Sequence, residues 1–74
     1  MAERHERERF WIEHGMYAVQ VEVEVVYPTA WPTEACLTPA ASRFLDEVAR
    51  RAEAGDLKYL QSVGRVFQAV PTTA

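Results

Sequence analysis

The chain of 74 residues contains one cysteine, Cys36. A single cysteine cannot form an internal disulfide, so the disulfide-stapled folds of small secreted proteins are excluded. No stretch combines the basic start, apolar centre and small-residue cleavage site of a secretory signal. A lone thiol also suits a reducing compartment. We therefore expect a cytoplasmic protein.

Glycine and histidine are also scarce, with three and two residues respectively. Gly15, Gly55 and Gly64 are far apart and each fits a turn or a helix end, so no glycine-rich loop can cradle a phosphate. His5 and His14 lack the close spacing of paired zinc ligands. Neither a serine nucleophile elbow nor a His-Glu-x-x-His motif is present. The sequence therefore predicts no cofactor and no metal, and it favours a non-enzyme without deciding the question.

No run is apolar enough to span a membrane, and no basic patch dominates. The longest stretch with few charges, residues 25–42, is interrupted by Glu34 and contains three prolines. Eight Lys and Arg stand against eleven Asp and Glu, which gives a net charge of -3. Nucleic-acid binding normally requires clustered positive charge. Neither membrane insertion nor nucleic-acid binding is expected.

The chain does contain a large hydrophobic fraction, 49%, which is too high for a disordered protein. We expect a single domain over residues 1–74, with a mobile arm at 1–6 and a frayed tail at 71–74. Chains near this size bury only about 60% of the surface that the unfolded chain exposes. They are often stabilised by disulfides, a metal or a partner subunit. With the first two absent, the sequence predicts a homo-oligomer.

The clearest predicted element is a strand over residues 16–27, where valines alternate with polar residues. This period of two is typical of a strand with one apolar face. Gln20, Glu22 and Glu24 share the other face, which should meet either water or a partner. A second strand is predicted over residues 65–70, which precede a proline.

Two helices are predicted between these strands. Thr38, followed by a proline, is typical of a helix start, and apolar residues recur at three- and four-residue intervals through 39–54. Asp56 can cap a short second helix over 57–63. The preceding segment 28–37 contains two prolines and no regular period, so it is predicted to be a loop.

Residues 2–14 fit two structures. The Glu3–Arg7 spacing favours a helix. Phe10, Trp11 and Ile12 instead favour a strand, paired with 16–27 through a turn at His14–Gly15. With the strand, the predicted fold is an α+β two-layer sandwich with about three mostly antiparallel strands. The strands are 7–13, 16–27 and 65–70, covered on one face by helices 39–54 and 57–63.

Aromatic residues form the candidate interface, since Trp and Tyr are enriched at interaction hot spots. In a strand, Trp11 projects opposite to Phe10 and Ile12, so it cannot share their core. Trp31, near two prolines in the predicted loop, either closes the core or meets a partner. The candidate interface residues are Phe10, Trp11, Tyr27 and Trp31. The leading prediction is a small protein-interaction or oligomerisation module, with a protein partner or a second copy.

A second hypothesis is a small enzyme or ligand-binding subunit with its site between loop 28–37 and the sheet. Glu22 and Glu24 would lie about 6.5–7 Å apart along a strand, a spacing compatible with acid–base chemistry or a hard cation. Cys36 precedes a helix start, where the dipole lowers a thiol pKa, and His14 is a base to test beside it. A solvated strand face and an unreactive loop cysteine explain the same residues. A third hypothesis is an antitoxin-like regulator.

Overall fold

A long hairpin forms the base of the fold. In the computed structural model, which describes residues 3–70, β1 (Arg4–His14) and β2 (Tyr17–Tyr27) pair antiparallel along their full length. Of the two structures that fit the N-terminal segment, the strand is therefore the one that forms. The predicted turn at His14–Gly15 is wrong by one residue, because His14 ends β1 and the turn is Gly15–Met16. Gly15 has a φ of +58°, which a tight hairpin turn requires at its first position.

The second edge of β2 is shared by two short strands. β3 (Cys36–Leu37) pairs antiparallel with the end of β2, and β4 (Arg65–Gln68) pairs antiparallel with its start. β3 corrects the prediction that 28–37 is entirely a loop. Two residues are too few to show a period, and only their pairing with β2 makes them a strand. Among the described residues, the sheet consequently has four strands.

Two helices, α1 (Pro39–Glu53) and α2 (Leu57–Val63), follow β3. At the start of α1, the Thr38 hydroxyl accepts a hydrogen bond from Ala41 N at 3.0 Å. At the start of α2, the Asp56 carboxylate accepts one from Tyr59 N at 3.2 Å. Both predicted N-caps are thus confirmed, and each helix begins where its cap supplies the acceptor that its first turn lacks.

The core lies between the helices and the valine face of β2. The four alternating valines Val19, Val21, Val23 and Val25 are each at most 5% exposed. Val48 of α1 and Leu60 of α2 are fully buried against them. The predicted α+β arrangement, with helices packed on an antiparallel sheet, is confirmed.

The ends of the chain differ slightly from the predicted limits. β1 begins at Arg4, so part of the predicted arm 1–6 belongs to the sheet. The predicted strand 65–70 ends at Gln68. The predicted tail 71–74 lies outside the described residues. Within residues 3–70, neither helix has the length and apolar character needed to cross a bilayer.

Candidate functional site

The sheet face turned away from the helices, here called the outer face, carries crossed charges at its centre. It consists of the odd-numbered residues of β1, the even-numbered residues of β2, Cys36 of β3, and Arg65 and Phe67 of β4. Arg7 Nε lies 4.0 Å from Glu22 Oε1, and the Arg7 guanidinium donates to the Glu22 main-chain oxygen at 3.5 Å. His5 Nδ1 lies 3.5 Å from Glu24 Oε1. Such exposed pairs contribute little to stability.

Towards the hairpin turn, the outer face becomes aromatic. The rings of Trp11 and Phe67 contact each other with their centroids 5.2 Å apart, although they belong to strands on opposite sides of β2. Ala18 lies opposite Phe67 in β2, and its small side chain lets the two rings meet across the central strand. Trp11 remains 54% exposed and Phe67 43% exposed. A contact with another protein would bury a large apolar area here.

Phe67 was not among the predicted interface residues. A sequence signal for it existed, because the period of two in Arg65–Gln68 places Val66 and Phe67 on opposite faces. Val66 packs against the core, which leaves Phe67 on the outer face. Its contact with Trp11 depends on how β4 aligns with β2, which no local pattern specifies.

β1 has a second edge, here called the free edge, with which no strand pairs within residues 3–70. Ala69 N donates to Met16 O at 2.7 Å, so the even-numbered residues of β2 direct their main-chain groups towards β4. Successive residues in a strand bond to opposite sides, and the odd-numbered residues of β2 therefore bond to β1. From the register, the odd-numbered residues of β1, including Arg9, Trp11 and Glu13, present N–H and C=O groups to the free edge.

The predicted interface residues lie on different surfaces. Trp11 is on the outer face, whereas Phe10 and Tyr27 pack against the core on the inner face. The Tyr27 hydroxyl donates to Glu8 Oε1 at 2.5 Å, and this hydrogen bond raises the pKa of Tyr27 above its usual value. Trp31 is 66% exposed and does not close the core. Only Trp11 combines exposure, an aromatic neighbour and the free edge.

The four residues of the enzymatic hypothesis do not meet. Cys36 pairs at the far end of β2 and His14 at the hairpin turn, nine positions away along the strand. At the usual rise, this places them about 30 Å apart. Glu22 and Glu24 are exposed on the outer face, whereas His14 belongs to the inner face. In the described part of the chain, no group of three His, Cys, Asp or Glu residues is arranged to hold a metal ion.

Residues 21–24 of β2 have no strand beside them on the edge that β3 and β4 share, within the described chain. A surface cavity of about 310 Å³ lies there, and Arg7, Arg9, Gly64 and Arg65 are among the residues that line it. Glu22 also lines it, so the positive charge of the arginines is partly neutralised. The cavity therefore extends the mixed-charge character of the outer face.

Over residues 3–70, the fold and this surface define an α+β two-layer domain with one open sheet face and one free edge strand. No family model, curated protein or solved structure matches the chain. The function is consequently inferred from the exposed chemistry of the sheet.

Proposed function

We propose that this domain is a small oligomerisation module that binds a second copy of itself through β1 and the adjoining outer face. The observation that carries the proposal is the Trp11–Phe67 pair, two contacting rings that both remain about half exposed. Trp11 lies on β1, whose free edge can accept another strand. Main-chain hydrogen bonds at the free edge would supply affinity, and Trp11, the ring of the pair that lies on this edge strand, would supply apolar burial.

The charge of the outer face favours a protein surface over a nucleic acid. Its three arginines are balanced by three glutamates, so the face carries no net positive charge. These residues are Arg7, Arg9 and Arg65 against Glu13, Glu22 and Glu24. A phosphate backbone would need an excess of cations. A second copy presents the same mixture of both signs and can match it.

The size of the core also supports association. Of residues 3–70, only eight are buried, and two of these are alanines, Ala41 and Ala52. Small domains with few buried side chains gain stability when they associate, because association removes additional apolar surface from water.

Sedimentation velocity over a dilution series in the micromolar range tests this proposal. We expect the average mass to rise above that of the monomer as the concentration increases. Trp11→Ser should weaken the association, whereas Trp31→Ser, which removes an equally large and more exposed ring from a distant loop, should not. A chain that remains monomeric throughout the series, or equal effects of the two variants, would contradict the proposal.

A further inference from the structure

Residues 8–14 of β1 have a sequence whose side chains match those of a second copy running in the opposite direction. The segment reads Glu-Arg-Phe-Trp-Ile-Glu-His. When it is laid antiparallel to a second copy with Trp11 opposite Trp11, each side chain meets one of matching chemistry. The other pairs are Glu8 with His14, Arg9 with Glu13, and Phe10 with Ile12. Acidic residues thus face basic residues or histidine, and apolar residues face apolar residues, which is the pattern that stabilises paired strands.

We infer that two copies of this chain pair antiparallel through the free edges of β1, in the register that places Trp11 opposite Trp11. The inference rests on the proposed function and specifies its geometry. A two-fold axis passes between the two Trp11 residues, so each remaining pair occurs twice in the dimer. The two four-stranded sheets become one continuous sheet of eight strands, with all helices on the same side.

The main chain fits this register. Trp11 would bond to Trp11 of the second copy, and Arg9 would bond to Glu13. All three are odd-numbered residues, the set whose N–H and C=O groups face the free edge. Outer-face side chains also meet outer-face side chains, because residues of like parity are opposed. The main-chain groups at the free edge therefore already have the orientation that this register requires.

Neighbouring registers that keep the same faces together are less complementary. A shift of two residues in one direction places the Glu8 carboxylate opposite Ile12. The same shift in the other direction places Trp11 opposite Glu13. A shift of four residues in the first direction places Arg9 opposite Arg9, and like charges directly opposed destabilise strand pairs. Charge and hydrophobicity together therefore select the register centred on Trp11.

The exposure of the segment agrees with its pairing. Phe10 and Ile12 pack against the core yet remain only partly buried, and Trp11 is 54% exposed. Pairing covers the open side of all three. Residues 4–7, by contrast, are Arg-His-Glu-Arg and are all exposed, a composition that discourages strand addition. The paired region is thus confined to residues 8–14.

Charge reversal at Arg9 tests the register. Arg9→Glu places a carboxylate opposite Glu13 at two positions per dimer. Since each cross-strand charge pair changes association by up to about fivefold, the two pairs should raise the dimer Kd by up to about 25-fold. Arg9→Glu/Glu13→Arg should restore it. Arg7→Glu is the matched control. Arg7 lies on the same face as Arg9 and, like it, opposite a glutamate of β2, but it is outside the paired segment.

Disulfide trapping gives a second readout. In a Cys36→Ser background, Arg9→Cys/Glu13→Cys should form intersubunit disulfides, since hydrogen-bonded paired residues lie about 5.5 Å apart between Cα atoms. Glu13→Cys alone should not, because the two copies of residue 13 lie about 14 Å apart in this register. A dimer that traps both variants equally, or is not restored by the double charge reversal, overturns the register and leaves the proposed function standing. A monomer at every concentration overturns both.

Discussion

Gly64 joins α2 to β4 and lies close against the central strand, β2. A Cβ added to Gly64 would overlap the main-chain oxygen of Gln20 and lie 2.9 Å from Val21 Cγ1. Neither group can move away easily, because Gln20 O belongs to the backbone of β2 and Val21 is 1% exposed. Gly64→Ala must therefore displace α2 or β4 from the sheet.

The expected cost follows from these contacts. Overpacking a closely packed site typically costs about 1–3 kcal/mol, and the upper part of that range applies here because a backbone atom is the obstacle. Gly64 itself has an extended φ of -172°, which alanine adopts without strain. Alanine also lowers the entropy of the unfolded chain, which offsets about 0.4–1 kcal/mol. We expect a net loss of about 2 kcal/mol in the free energy of unfolding.

Urea unfolding followed by circular dichroism measures this loss, at one protein concentration because association also affects stability. Gly15→Ala is the control: a Cβ there meets nothing within 4 Å, and only its φ of +58° is unfavourable. The cost of that conformation for alanine is about 1–2 kcal/mol, less the same entropic offset. If Gly64→Ala is no more destabilising than Gly15→Ala, the close packing of Gly64 on β2 does not limit stability and the reasoning fails.

Two further predictions concern α2. Leu60→Ala should lower the free energy of unfolding by about 3 kcal/mol, because Leu60 is fully buried. In the same thermal unfolding assay, Leu57→Ala should lower it by less than about 1 kcal/mol, because Leu57 is 36% exposed. Similar losses in the two variants would contradict the assigned core. The Arg51 guanidinium, and secondarily the Tyr59 amide, holds the pKa of Asp56 below its usual value. That stabilisation is complete above the ordinary Asp pKa and is lost as the pH falls towards the lowered value. Asp56→Asn should therefore reduce the loss of stability on acidification, and an unchanged pH profile would refute this role of Asp56.

Local signals in the sequence predict most of the fold. The alternation in residues 16–27 gives β2, and the side-chain caps Thr38 and Asp56 place the starts of both helices. β3 is different because two residues carry no period, and only pairing with β2 makes Cys36–Leu37 a strand. At the N-terminus, spaced charges suit a helix as well as a strand. The long apolar and polar alternation of β2 needs a partner strand, and this tertiary requirement decides the outcome.

The candidate surface was predictable only in part. The alternation of side chains along a strand is enough to place Trp11 and Phe10 on opposite faces of the sheet, and the structure confirms this. The contact of Trp11 with Phe67 depends on the alignment of β4 with β2, and 37 residues of chain separate these two strands. The distance between Cys36 and His14 was not predictable for the same reason, since it depends on which ends of β2 their strands pair with.

The two edges of the sheet explain why the proposed assembly would stop at two copies. An isologous contact between two β1 strands uses the only long free edge on each copy among the described residues. The opposite edge is formed by β3 and β4, which have two and four residues and leave a gap beside residues 21–24. Such short, interrupted strands are poor templates for further strand addition. Pairing of β1 would therefore close the sheet as a dimer, with no second long edge among residues 3–70 from which a filament could grow.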